Sequence, residues 1–362
     1  MKEAGFREAT GLFFDMETVL ITDTHYNNEN VHLVDDSFKQ CFNLAKRSRT
    51  KSVFHLGDWF TSRTGQTLPT LMAVLNILNE AQRNGIKIHT IPGNHDKSDL
   101  EDERSFMSVF QNHPAISLYS AGSFVPVNPD LRLHMLPYFP EEGSYGERLE
   151  HMKANLSKGK NTLLTHITLD GALNNDGSKQ SNYLTRDAFK GFDWVLSGHY
   201  HNRNSPWSRA QYIGSPRAAN YGEDNDKGFT IINADGSMKF VRSTFQQFHQ
   251  FFFDLTRIDD DAFAEDFERA VELAAMGHRV RAVVVGTKEL VEAFDRKLFT
   301  DNGIEFVPKD SNISKSIQDL EEGLTTSFTT AELMRAFVEY CKLNGIKGEM
   351  FGMGLKLMKS NL

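Results

Sequence analysis

The sequence predicts a layered α/β fold with helices covering a sheet. Two observations carry that reading: short β-rich apolar runs alternate with longer helical patterns through the first 200 residues, and each run is followed at once by acidic, amide or imidazole side chains. Thr18 to Thr22, Val53 to Leu56, Ile86 to Ile91, Thr162 to Thr165 and Trp194 to Ser197 each read as a buried strand of four to six residues. Between the second and third, Leu71, Val74, Leu75, Leu78 and Ala81 recur at helical spacing and stop at Gly85, which makes a βαβ unit.

From Ser205 the texture changes to Gly, Pro and turn residues with short strands at Gln211 to Ile213 and Gly228 to Asn233, and this first unit closes near Ser243. With a boundary near Gln246, Phe251 to Val307 reads as strand, helix, strand, helix, strand, with Arg279 to Val285 as the central strand and Glu289 to Phe299 as a helix. A polar stretch from Pro308 to Gln318 leads to a last helix whose start is marked by the capping box of Thr329 and Glu332.

The composition is that of an ordinary globular chain: 362 residues, 40% hydrophobic and 24% charged. Charged residues at Lys2, Glu3, Arg7, Glu8, Asp15 and Glu17 interrupt any signal-like apolar stretch, and no apolar run nears the ~20 residues that span a bilayer, so a cytoplasmic protein is expected. Cys41 and Cys341 are the only cysteines, which excludes a thiolate metal site and makes reduced, packed thiols the expectation. A formal charge of −8 argues against non-specific coating of nucleic acid but not against a nuclease, because divalent cations reverse the sign inside a cleft.

The residues that could carry chemistry stand just beyond the strands. Asp23 and His25 come after the first, Asp58 after the second, Asn94, His95 and Asp96 after the third, His166 after the fourth, and His199 and His201 after the fifth. Carboxyl ends of strands in an open α/β sheet share one edge, so five segments would deliver these groups to one place. A single histidine beside a strand is ordinarily a packing or capping residue; five segments in register are not. His55 and His89 lie within strands and read as structural, and His32, His113, His134, His151, His249 and His278 have no comparable context.

Oxygen and imidazole ligands without thiolate suit Mn²⁺, Fe²⁺ or Zn²⁺, and the oxygen share tilts the choice toward Mn²⁺. Two cations ~3.5–4 Å apart would clamp the attacking and leaving oxygens of a phosphodiester. If one carboxylate bridges, two four-ligand sites need seven protein groups, and Asp23, His25, Asp58, Asn94, His166, His199 and His201 are seven. His95 is left over to act on the leaving oxygen, with Asp96 placed to hold its tautomer.

Asp23-Thr-His25, Gly57-Asp58-Trp-Phe, Gly93-Asn94-His95-Asp96, Thr165-His166 and Ser197-Gly198-His199-Tyr-His201 resemble the motifs of calcineurin-like metallophosphoesterases in order and spacing. Within that superfamily, Tyr212-Ile-Gly-Ser-Pro216 and Asp226-Lys-Gly-Phe229 are similar to SbcD-type and phage recombination endonuclease subunits. The resemblance implies a layered α-β-β-α sandwich over residues 17–245 after an extension over 1–16, a small α+β capping domain that meets DNA over 246–308, and a linker with C-terminal ATPase-binding helices over 309–362. It implies one metal on Asp23, His25, Asp58 and His201, a second on Asp58, Asn94, His166 and His199, and His95 as the catalytic histidine. It further implies two Mn²⁺ ions (with Mg²⁺, Fe²⁺ or Zn²⁺ as alternatives), 3′→5′ exonuclease action on double strands and endonuclease action on single strands. The implied partners are DNA and an SbcC-like coiled-coil ABC ATPase, with a nuclease homodimer inside a heterotetramer, working in the cytoplasm, or the host's if phage-encoded. Thr61 stands where cellular members usually carry a second active-site histidine, and Tyr26-Asn27 replaces their usual Leu-Gly.

Candidate DNA contacts are Arg63, just beyond Asp58, and a basic cluster of Lys39, Lys46, Arg47, Arg49 and Lys51 that reads equally as the solvated face of a helix. The rival reading is a phosphatase or cyclic-nucleotide phosphodiesterase on the same scaffold. Gly57-Asp-Trp-Phe-Thr-Ser-Arg63 lacks the Gly-Asp-x-Val-Asp-Arg-Gly of the protein phosphatases. A partner-only scaffold without catalysis would have no need of all seven ligands. In the C-terminal segment, Leu333, Met334, Phe337, Val338, Cys341 and Leu343 form an apolar stripe that fits the chain's own second domain or a partner on periodicity alone; the preceding polar linker and the Met-rich tail favour a partner.

Overall fold

A computed structural model describes residues 17–310, except 175–176, 182–183 and 258–259. The extension over 1–16, Cys341, the helix start at Thr329 and the partner-binding stripe lie outside the described residues. Two units are distinguished, one of residues up to 249 with 277–279, the other of 250–276 and 280 onward.

The first unit runs β1 (Thr18–Ile21), α1 (Val31–Arg47), β2 (Ser52–His55), α2 (Leu68–Arg83), β3 (Lys87–Thr90), β4 (Ile116–Leu118), β5 (Ser123–Asn128), β6 (Leu131–Leu136), α3 (Tyr145–Lys153), β7 (Lys160–His166), β8 (Trp194–Gly198), β9 (Ala210–Tyr212), β10 (Gly228–Ile232) and β11 (Met238–Arg242). The strands form two mixed sheets, ordered β11-β10-β1-β2-β3-β4 and β5-β6-β7-β8-β9. β1, β2, β3 and β4 are mutually parallel, as are β6, β7, β8 and β9. The five predicted strands therefore divide between two sheets instead of lining one edge of a single sheet. β5 and β6 escape the sequence pattern because Ser123 to Leu136 carries Pro126, Pro129 and polar residues that blur its alternation, and β4 because it is only three residues long.

The period of two along each strand builds the layers. Val19, Ile21, Val53 and Ile88 face α1 and α2 with Phe38, Phe42, Val74 and Leu78. Their alternates Leu20 and Phe54 turn inward to meet Leu133, Leu164 and Leu196 of the second sheet. Leu136, Leu163 and Val195 face outward onto Tyr145, Leu149 and Met152 of α3. The result is an α-β-β-α sandwich with three buried apolar layers.

In the second unit β12 (Phe248–Asp254), β13 (Arg279–Gly286) and β14 (Glu305–Asp310) form a sheet in the order β12-β13-β14, with α4 (Asp260–Ala275), α5 (Lys288–Ala293) and α6 (Lys297–Thr300). Phe253, Ala270, Leu273, Val280, Ala282, Val284, Phe299 and Ile304 make its core. Two expectations fail here. The helix predicted from Glu289 to Phe299 is broken, because Phe294 is extended (ψ 132°) and stacks on Phe299 and Phe306. Pro308 to Asp310, read as linker, continues β14, an edge strand where proline costs no ladder bond. No helix among the described residues is long and apolar enough to cross a membrane.

Candidate metal centre

The loops after β1, β2, β3, β7 and β8 meet at one rim of the sandwich. The first two zip together through backbone bonds: Asp23 N–H to Gly57 O, His25 N–H to Asp58 O, Tyr26 N–H to Trp59 O and Thr61 N–H to Tyr26 O. That pairing is tight enough to force left-handed backbone at non-glycine positions. Asp23, His25, Asp58 and His199 all have positive φ, among six such non-glycine residues described. Each costs of order 1–3 kcal/mol, and such strain gathers at functional sites. Gly57 (φ +93°) is needed here: a Cβ would lie 2.7 Å from Gly93 N and 2.8 Å from His166 Nδ1.

Asp96 holds the floor of the site. Its buried carboxylate accepts from four backbone N–H groups, Asp58 (2.9 Å), Trp59 (2.8 Å), Phe60 (3.2 Å) and Gly93 (2.9 Å). This corrects the expectation that Asp96 holds the tautomer of His95. The partner of His95 Nδ1 is the Thr61 carbonyl at 2.6 Å.

Asp23, His25 and His201 form one group of candidate ligands and Asp58, His166 and His199 another. Asp58 Oδ2 lies 3.3 Å from His166 Nε2 and 3.6 Å from His25 Nε2, so it belongs to both sides. Asn94 Oδ1 is 3.1 Å from both His166 Nε2 and His199 Nδ1. The seven predicted ligands are thus brought together, with His95 beside them, its ring 5.0 Å edge-on to that of His25.

The donor set decides what fits between them. His25 Nδ1 faces Phe60 O at 3.1 Å, and His201 Nδ1 faces the Glu223 carboxylate at 3.0 Å; both partners only accept, so both ring protons sit on Nδ1. The two Nε2 lone pairs are then left facing each other at 3.0 Å. Likewise His166 Nδ1 donates to Leu56 O at 2.7 Å, which aims its Nε2 at the oxygens of Asn94 and Asp58. Clusters of acceptors without donors call for cations, and N/O donors of this kind suit divalent metal.

Burial opposes charge on His166, but the adjacent Asp58 carboxylate overcomes it and pushes the imidazole up to about 9, so a cation bound there would displace the proton from Nε2. Burial would raise Asp58 too, yet the imidazoles, His166 first, hold it well below the usual carboxylate range. Burial, then His166, depresses His199 to about 3, and burial lowers His25. His199 N–H donates to both oxygens of Asp23 at 3.1 Å.

Several supporting residues carry no signal in the sequence pattern. Buried Glu223 orients His201 and is held by Lys227 Nζ at 2.9 Å, while Lys227 also donates to His201 O at 2.7 Å. Burial opposes charge on Glu223, but its hydrogen bond to His201 and the charges of His201 and Lys227 outweigh that and hold it down to about 2. A carboxylate behind a ligating histidine is the usual orienting device. Fully buried Lys97 donates to Tyr138 O at 2.7 Å over the Phe139 ring, and Tyr138 in turn lies along His199, centroids 6.2 Å apart. Arg63 reaches the site, with Nη2 3.1 Å from His95 Nε2. Arg47 and Arg49 do not. Exposed at the end of α1 and just past it, they sit at the amino end of β2 whereas Asp58 comes after its carboxyl end, which removes them and their basic neighbours from the rim.

A fold with metal-seeking loops at the rim of an α-β-β-α sandwich defines a metallophosphoesterase. Residues 16–203, just over half of the chain, match the calcineurin-like phosphoesterase model, and the chain belongs to that family, whose members bind two divalent metals. Over 203 residues it is 28% identical to exonuclease subunit 1 of Enterobacteria phage T4, covering 55% of this chain and 58% of that one. Over 248 residues it is 24% identical to the DNA double-strand break repair protein Mre11 of Sulfolobus acidocaldarius, covering 62% of each. The matches thus span about three fifths of these relatives' length. A dimetal phosphatase from Danio rerio aligns with TM-score 0.43 and 12% identity over 62% of this chain and 96% of its own.

Proposed function

We propose that this chain is a Mn²⁺-dependent DNA nuclease, a 3′→5′ exonuclease on double strands and an endonuclease on single strands. The observation that carries the reading is Asp58, shared between two acceptor clusters that demand cations. The names of the curated relatives, an exonuclease subunit and a double-strand break repair protein, favour DNA over a phosphomonoester.

Asp23, His25, Asp58 and His201 would hold one cation, and Asp58, Asn94, His166 and His199 the other. Bound there, the pair supplies a nucleophile at neutral pH and charge for both the attacking and the departing oxygen. Glu223, Lys227 and the Leu56 carbonyl keep the imidazoles aimed inward, and the Tyr138 ring lies along His199. His95 and Arg63 stand together at the mouth, where the scissile phosphate would enter.

An SbcC-like ABC ATPase is the proposed partner, docked by 329–362, and the exposed Leu68 and Met72 of α2, one turn apart, give a surface for a homodimer. Duplex DNA labelled at the 3′ or at the 5′ end, incubated with Mn²⁺, tests polarity: mononucleotide release from the 3′ label first supports the reading, and release from the 5′ label first contradicts it. Truncation after Gln318 should keep single-strand cleavage while losing ATP stimulation and co-purification with the ATPase.

A further inference from the structure

The His95–Arg63 pair has a polarity fixed by its neighbours. The Thr61 carbonyl, 2.6 Å from His95 Nδ1, can only accept, so the ring proton sits on Nδ1 and Nε2 presents a lone pair. Arg63 Nη2, 3.1 Å from that lone pair, can only donate. The imidazole is therefore the acceptor and the guanidinium the donor. One N–H of Arg63 is engaged this way, and among the described residues no hydrogen-bond partner takes the others. The guanidinium lies beside the centre. His95 stands edge-on to His25 of one ligand group, and Arg63 is within electrostatic range of Tyr138, which lies along His199 of the other.

We propose that Arg63 is a catalytic residue: with one N–H anchored on His95, its remaining N–H groups fork onto the non-bridging oxygens of the scissile phosphate, and His95 acts through it as a positioning residue. Guanidinium geometry suits two phosphate oxygens at once, and a donor fixed before substrate arrives needs no reorganisation as charge develops. This rests on the reading of the centre as a phosphodiesterase, and the test separates the two.

The metal-loaded full chain and its Arg63→Ala, Arg63→Lys, His95→Ala and doubly substituted forms are assayed on single-stranded DNA and on bis(4-nitrophenyl) phosphate. Arg63 is exposed, so its substitution spares the fold, and metal content is measured alongside. The expected results are a loss of roughly 100-fold in kcat on both substrates for Arg63→Ala, with KM within about 3-fold. Arg63→Lys should recover less than full rate, added guanidinium ion should raise the Arg63→Ala rate, and the double variant should be no slower than Arg63→Ala. A defect confined to KM on DNA, with the small diester unaffected, would make Arg63 a remote strand contact and overturn the proposal. So would losses that multiply in the double variant, which would give His95 a role of its own. If the unsubstituted protein cleaves neither diester, the underlying reading fails and the proposal falls with it.

Discussion

Asp58 stands between the two ligand groups because its left-handed backbone, pinned by the Asp96 carboxylate, turns its side chain into the gap between His25 and His166. Asp58→Asn should leave the fold largely intact, weaken both metal sites and abolish cleavage, as checked by elemental analysis beside circular dichroism; full activity would contradict a shared ligand. His95→Ala should keep both metals while losing turnover. Asp96→Ala is expected to behave differently from either. It orphans four buried N–H groups at once, so it should cost about 4 kcal/mol or more in urea denaturation and reduce metal content with it. An Asp96→Ala protein of native stability and full metal content would return Asp96 to a role in catalysis. At this scale the ligands are legible in the sequence because each comes directly after a strand, a position that local pattern reveals. Glu223 is not, and Lys227 is marked only by the Asp226-Lys-Gly-Phe229 motif, with no role attached. The rule that a ligating histidine needs a carboxylate behind it points to some acidic residue, but 48 Asp and Glu residues compete for the role, and only the folding of a turn-rich stretch selects one.

Elements with strong periodicity are the readable ones. β1, β2, β3, β7 and β8 and helix α2 fall within a residue or two of expectation, since buried parallel strands are near-continuous apolar runs and Gly85 comes directly after α2 and its cap. The number of sheets is not readable from periodicity, because alternation tells which residues share a face and not which face meets which. β6 shows a further consequence of such packing. His134, fully buried between the sheet and Phe192, donates Nε2–H to Asn161 Oδ1 at 3.0 Å, while its Nδ1 has no partner among the described residues. Burial pushes this imidazole down to about 4. The unfolded chain, titrating near 6.5, binds the proton first, so stability is fully present above that pH and is lost as pH falls toward 4, by roughly 1.4 kcal/mol per pH unit. His134→Gln should flatten the slope of unfolding free energy against pH in that window relative to the unsubstituted protein; an unchanged slope would show that His134 takes up its proton equally in the folded and unfolded states.

Across the whole molecule, the candidate ligands come from loops of both sheets, so bound metal would tie the two layers together at the rim. Cations that bind only the folded state stabilise it by about 2.7 kcal/mol per site at a hundredfold excess over Kd. EDTA should therefore lower the melting temperature and Mn²⁺ restore it, with no such response in Asp58→Asn. Two carboxylates among the ligands leave the loaded centre net positive, which reconciles a chain of formal charge −8 with a polyanionic substrate. The measurement that tests this account most directly compares labelled duplex and single-stranded DNA with a nitrophenyl phosphate monoester under Mn²⁺, Mg²⁺ and EDTA. The account predicts Mn²⁺-dependent cleavage of DNA, abolished by EDTA, with the monoester scarcely hydrolysed; faster hydrolysis of the monoester than of DNA, or DNA cleavage that persists in EDTA, would contradict it.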